Sequence, residues 1–179
     1  MQDHPAFPKS SLKGDLLYKM VSRHPSIDLG TIQVLSHIQA IAKSVSAKIN
    51  IDLAEYGLTE GKFYVLTYIF SEELVGHDYP SPSQIADNLG VTRGTITGLL
   101  DGLERDGYVQ RVDSPTDRRA LTIQITQKSH NFLDQFLPAA VRYFDEVLPM
   151  DSNEKQKLVV DLSRIELALG IDHSTFKCG

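Results

Sequence analysis

The stretch GVTRGTITGLLDGLERDGYVQR, residues 90–111, sets hydroxyl side chains and a cation at the head of a helical pattern: Thr92, Arg93, Thr95 and Thr97. Hydroxyls both donate and accept hydrogen bonds, and arginine carries a permanent, forked positive charge. Such a set can meet phosphate oxygens and base edges, although hydroxyl residues abound in any chain and prove nothing by themselves. Two further groups are of the same kind. Ser83 and Gln84 open the short helical pattern that precedes. Arg118 and Arg119 follow the tip of the turn DSPTDRR, and arginine is favoured in a narrow minor groove by its negative potential. Asp117, beside them, is suited to hold an arginine in one rotamer as its ion-pair partner.

The same helix carries Gly94, Gly98 and Gly102 at every fourth position. Each costs about 1 kcal/mol relative to alanine in a helix interior. Gly94, Thr97, Gly98, Asp101 and Arg105 lie opposite an apolar stripe of Ile96, Leu99, Leu100 and Leu103. A slim outward face would let the helix lie close in a major groove about 12 Å wide. Its unpaired N–H groups and dipole would then approach phosphates. Packing of the glycines against another helix is the competing explanation. The acidic Asp101, Glu104 and Asp106 fall in the second half of the helix, away from Arg93.

Other chemistries lack their residues. There is no P-loop, dinucleotide glycine motif, HExxH or lipase-type serine elbow, so neither catalysis nor a cofactor is expected. His24, His37, His77, His130 and His173 are scattered, and the lone Cys178 excludes an intrachain disulfide or thiolate cluster, so no metal is expected. The net charge of −5 runs against a broad basic footprint. Phosphate binding, however, needs only local positive charge. No apolar run reaches the roughly 18 residues of a membrane span, and MQDHPAFPKSSLKGD lacks an apolar signal core, so a cytoplasmic protein is expected.

The elements around this block follow from periodicity. Residues 1–28 read as an N-terminal arm with prolines at 5, 8 and 25. A long helix runs from about Leu29 to Glu55, with Ile32, Leu35, Ile38, Ala42, Val45 and Ile49 stepping by three and four, and Gly57 ends it. Thr59 caps a second helix, EGKFYVLTYIF. Gln84 to Leu89 is a very short helix closed by Gly90. Thr92 caps the next, with Val91 and Ile96 placed as a hydrophobic staple, and Gly107 stops it. The period then changes to two: YVQRV and LTIQI form a β-hairpin. Two more helices span 127–148 and 152–169, the first containing Pro138. Short helix, tight turn, helix, hairpin is the order of a winged helix-turn-helix, whose second helix enters the major groove. The expected fold is mainly α with a small β-hairpin: a winged helix-turn-helix (59–126) embedded in a helical dimerisation scaffold (29–58 and 127–170), with a tail at 171–179.

The run SQIADNLGVTRGTITGLLDGLERDGYVQRVDSPTDRRALTIQIT resembles the DNA-binding core of the MarR family of bacterial transcription regulators, the DSPTDRRA…LTIQIT wing most specifically. The flanking helices extend the resemblance over about residues 29–170. SRH at 22–24 and SHNFLDQFLP at 129–138 are similar to the branch of multidrug-efflux regulators typified by EmrR, also called MprA. The resemblance implies a homodimer built from the first helix and the last two, binding a pseudo-palindromic double-stranded DNA operator. It implies repression of a nearby gene, relieved by a small phenolic or carboxylate ligand. Carried over by position, Thr92, Arg93, Thr95 and Thr97 fall on the recognition helix, and Asp117, Arg118 and Arg119 on the wing. Thr97 and Arg111 match positions where a family member holds an aromatic carboxylate. Two residues depart from the pattern: Ser129 stands where many members have glycine, and Gly98 where many have arginine.

Ligand response has a second sequence signal and a competing one. Phe63, Tyr64, Tyr68 and Phe70 form an aromatic-rich stretch that would line a pocket, with Tyr64 and Tyr68 as its polar members, or else pack a core. The alternatives to a ligand-released repressor are a constitutive DNA regulator and a winged-helix module for protein contacts.

Overall fold

The computed structural model describes residues 28–113 and 121–171, with residues 19, 22–24 and 26 of the preceding arm. Six helices and one hairpin follow one another in the described chain: α1 Leu29–Ala54, α2 Glu60–Leu74, α3 Pro82–Asn88, α4 Arg93–Arg105, β1 Val109–Asp113, β2 Leu121–Ile125, α5 Gln127–Val147 and α6 Ser152–Ala168. The chain divides into two compact units at Glu60 and Gly61.

In the first unit α1 starts where Asp28 accepts the backbone N–H groups of Gly30 and Thr31, two donors that have no partner inside the helix. Leu53 and Leu58 are buried. The first residue of α2 is tied to this unit: Glu60 accepts from Ser46 Oγ at 2.9 Å and from Asn50 Nδ2 at 3.1 Å. Along the apolar stripe of α1, Ile32, Ile38, Val45 and Ile49 are half-buried, whereas Leu35 and Ala42 are exposed.

The second unit has its core between α2, the helix-turn-helix, the hairpin and the first turns of α5. Phe63, Leu66 and Ile69 of α2, Ile85 of α3, Ile96, Leu100 and Leu103 of α4, Ile123 of β2, and Phe132 and Leu133 of α5 are buried. Phe63 meets Phe132 and Phe136 edge-on, with ring centroids 6.4 and 5.2 Å apart, and Phe132 meets Tyr108 at 6.0 Å. Edge-to-face pairs add to the stabilisation from burial. Phe63 is therefore a core residue, which settles its share of the aromatic stretch in favour of packing.

α3 begins two residues earlier than its sequence pattern indicated. Ser81, not Ser83, is the N-cap, and Pro82 fills the first turn, where no N–H is needed. Ser81 Oγ accepts from the Gln84 N–H, while Gln84 Oε1 accepts from the Ser81 N–H at 2.8 Å, a reciprocal capping box. Gly90, at φ +64°, makes the turn after α3, and the Val91 N–H donates to the Ala86 carbonyl at 3.1 Å. Val91 is 39% exposed beside a fully buried Ile96, so the expected staple contributes little burial.

The hairpin pairs Arg111 with Ile123 in antiparallel register, and the Ile123 N–H also donates to the Pro80 carbonyl at 2.9 Å, fastening the loop before α3 to the sheet. α5 runs through Pro138, but its buried residues, Ser129, Phe132, Leu133 and Phe136, all precede it. α6, capped by Asp151 with Glu154, has no buried residue.

Candidate nucleic-acid interface

The head of α4 is built by its cap. Thr92 Oγ1 accepts the Thr95 N–H at 3.1 Å and lies 2.8 Å from Thr95 Oγ1. Thr97 Oγ1 donates to the Arg93 carbonyl at 2.9 Å, which leaves its lone pairs to accept. Arg93, Gly94, Thr95, Thr97 and Gly98 are all exposed, and Arg93 has no ion pair among the described residues. Nothing lies within 4 Å of a Cβ built on Gly98. The first two turns of α4 therefore present a slim surface with hydroxyls and one cation.

The glycines do not act as one set. Gly94 and Gly98 face outward, whereas Gly102 is buried beneath the Lys62 side chain. The outward-face explanation fits the first two, and packing against a neighbouring helix fits the third.

The second half of α4 is acidic and held by cations on other elements. Lys62 Nζ of α2 pairs with Asp106 at 2.7 Å, and this hydrogen bond lowers the Asp106 pKa. Arg111 of β1 reaches Asp101 at 2.6 Å and Glu104 at 2.5 Å. Those partners, Asp101 foremost, raise the guanidinium pKa further. Below the helix, the Leu103 carbonyl accepts the Tyr108 N–H at 2.8 Å across Gly107, whose φ of +76° makes the reversal. The Tyr108 carbonyl then accepts the Thr126 N–H at 3.0 Å and the buried Ser129 Oγ at 2.5 Å, while Thr126 Oγ1 donates to the Gly107 carbonyl at 2.8 Å. Lys128 Nζ donates to the Asp106 carbonyl at 2.7 Å and sits 4.1 Å from the centre of the Tyr108 ring. Recognition helix, hairpin and α5 are thus joined at one point.

The remaining sequence-nominated residues divide clearly. Ser83 is half-buried on α3, and Gln84 is exposed but engaged in the capping box. Asp117, Arg118 and Arg119 lie outside the described residues. Tyr64 is exposed and Tyr68 half-buried on α2; burial and the nearby Glu72 raise the Tyr68 pKa. Arg111, nominated for an anionic ligand, is occupied by two carboxylates of its own chain. Four structural residues were not singled out from sequence: Ser81, Lys62, Glu60 and Asn50. Ser81 had a local signal, the S-x-x-Q spacing; the others depend on contacts between elements.

Residues 56–120 match the model of the MarR family. The repressor YetL of Bacillus subtilis is 34% identical over 149 residues, 81% of this chain and 87% of its own length. The chain belongs to the MarR family. It is a DNA-binding transcription regulator with a winged helix-turn-helix, and the family is not enzymatic. The Escherichia coli repressor MprA is 37% identical over 86 residues, 48% of this chain and 47% of MprA. Among solved structures, Staphylococcus aureus MepR in a DNA complex superposes with a TM-score of 0.64 at 18% identity, covering 80% of this chain and 99% of that one. CouR from Rhodococcus jostii, bound to p-coumaroyl-CoA, superposes at 0.62 and 20% identity, covering 74% and 90%. No helix among the described residues is long and apolar enough to cross a membrane.

Proposed function

We propose that this MarR-family chain is a homodimeric repressor that reads a pseudo-palindromic operator with α4 and leaves it when a small aromatic or lipophilic acid binds. The exposed head of α4, with Arg93, Thr95 and Thr97 around an open Gly98, carries the DNA reading. Thr92 orders the helix start; Ser83 and Gln84 are placed for backbone contacts from α3. Arg118 and Arg119 on the wing reach the minor groove, with Asp117 orienting them. A twofold dimer sets its two recognition helices into successive major grooves, about 10 bp apart. MepR's complex with DNA and YetL's description as a repressor support this reading.

The test is an anisotropy titration of a duplex selected by the protein from a random-sequence pool, against scrambled duplex, at about 50 and 200 mM salt. Preferential, salt-sensitive binding with twofold half-sites is expected; equal, weak retention of both duplexes contradicts it.

A second reading, constitutive regulation, is favoured by one observation: Arg111 is already neutralised by Asp101 and Glu104. An acid at Thr97 and Arg111, with Tyr64 and Tyr68 as further contacts, must displace those carboxylates. CouR's bound aromatic thioester supports the ligand reading instead. Reciprocity decides between them: a ligand that weakens DNA binding is itself weakened by DNA to the same factor. Acids that raise the melting temperature but leave the DNA dissociation constant unchanged favour constitutive regulation.

A further inference from the structure

Asp101 continues the exposed face of α4 one turn beyond Thr97, and Glu104 stands three residues later. Two carboxylates on a helix that approaches a polyanion oppose binding. Arg111 meets both. Its Nη2 lies 2.6 Å from Asp101 Oδ1 and its Nη1 2.5 Å from Glu104 Oε2, so each terminal nitrogen of the fork takes a carboxylate. The side chain is 29% exposed, against 58% for Asp101 and 38% for Glu104. The cation is thus the most covered member of the cluster, beneath the anions it serves. Its strand is fixed by pairing with β2, where its partner Ile123 is fully buried.

We propose that Arg111 is a charge mask for the recognition helix: its single positive charge, shared between Asp101 and Glu104, offsets one of their two negative charges so that α4 can approach DNA, and it does not itself contact phosphate. This rests on α4 being the DNA-reading element. The mask makes the acidic half of the helix tolerable without removing its carboxylates. It also gives Arg111 a role that differs from the wing arginines, although all three are cations of the hairpin region.

The experiment compares wild type, Arg111→Gln, Arg111→Lys and the triple variant Arg111→Gln/Asp101→Asn/Glu104→Gln on sheared calf-thymus DNA and on a duplex selected by wild type. Circular dichroism confirms folding, and the triple variant, which removes both carboxylates together with their cation, carries the test through its affinity and salt slope if Arg111→Gln does not fold. Arg111→Gln is expected to weaken both DNAs about tenfold, since two unscreened anions then face the phosphates. Arg111→Lys keeps the charge and is expected to stay within about threefold of wild type, even though it loses the fork. The triple variant is expected to recover at least to wild-type affinity, with the salt slope of wild type, because both anions are gone and no phosphate contact has been lost. A triple variant that stays weak with a slope lower by about one charge per subunit makes Arg111 a phosphate contact and overturns the mask. A lysine variant as weak as the glutamine variant also overturns it, in favour of fork geometry. If wild type itself ignores both DNAs, the operator-binding reading falls and the mask with it; a binding wild type isolates the failure to the mask.

Discussion

The Lys62 side chain passes across the backbone of Gly102: a Cβ there would stand 3.0 Å from Lys62 Cε and 3.3 Å from Nζ. The lysine goes on to Asp106, so α2 grips the recognition helix near its end, through the space that a missing side chain leaves. Gly102→Ala adds about 1 kcal/mol of helix propensity but pushes the lysine's flexible end away from Asp106. The two effects oppose each other, and the net change in urea unfolding should stay within about 1 kcal/mol of zero. Gly98→Ala, in open space, should gain up to about 1 kcal/mol with nothing to offset it. Equal gains at both positions would show that Lys62 does not depend on Gly102.

Asp106 gives the same grip a pH signature. The Lys62 hydrogen bond lowers its folded pKa below the ordinary 3.8, with Arg105 adding to the effect. A depressed carboxylate stabilises the fold above its unfolded pKa, and that contribution disappears as pH falls through the folded value. The stability difference between wild type and Lys62→Met should therefore be full at neutral pH and shrink below pH 3.8. Chemical denaturation at stepped pH measures it. A difference that stayed constant into acid would assign the Lys62 effect to packing of its methylene stem.

Gly98 separates close DNA approach from drift. Gly98→Gln places a good helix former where no atom lies within 4 Å, so the free protein should gain up to about 1 kcal/mol. Operator binding should nonetheless fall steeply, because the longer side chain meets the groove. Unchanged or tighter binding by this variant, read by anisotropy, would remove the close-approach explanation for Gly94 and Gly98 and leave the winged helix intact.

How far the sequence reached can be told from such residues. Helix ends were legible wherever a local rule sets them: Thr92 as cap and Gly57, Gly90 and Gly107 as stops all hold, and the switch to period two comes one residue after Tyr108, with β1 starting at Val109. The start of α3 lies two residues before Gln84 although its capping box is local, because Pro82 occupies the first helical turn, where proline is compatible with the helix. Long-range pairings were not legible. Nothing in the spacing of Arg111 says that it folds back onto Asp101 and Glu104. Gly102 differs from Gly94 only because of Lys62, 40 residues earlier, and the departure at Ser129 gains its meaning only when its hydroxyl is found on the Tyr108 carbonyl.

Base readers and wing cations should fail differently. Thr97→Ala should cost about 1–3 kcal/mol on the operator and much less on random DNA if Thr97 reads a base edge. Arg119→Ala should weaken all sequences alike and flatten the salt dependence by about one charge per subunit. Titrations of both variants against selected and scrambled duplexes at several salt concentrations make the comparison. A sequence-blind loss in Thr97→Ala would move that residue from base readout to backbone positioning.

Apolar surface that the described chain leaves uncovered leads to the prediction of a dimer. Beyond Pro138, α5 exposes Val141 at 67%, and α6 exposes Val159, Val160 and Leu167, the last at 79%, with no residue of α6 buried. α1 exposes Val34, Leu35, Ile41 and Ile51 in the other unit. A helix capped at Asp151 by a full capping box but buried nowhere gains too little from its own hydrogen bonds to stand alone, since helix stability in proteins comes mostly from packing an apolar face. A stable partner interface covers about 800 Å² on each side, and a second copy of this chain offers the same apolar helices under twofold symmetry. Deleting residues 150–179 should therefore give a monomeric or aggregating chain in analytical ultracentrifugation. Val160→Glu together with Leu167→Glu should do the same without truncation, because burying two carboxylates against apolar partners is strongly unfavourable. Both forms should lose operator affinity more than calf-thymus affinity, as one half-site replaces two. Clean dimers from either form would place the interface elsewhere than on α6.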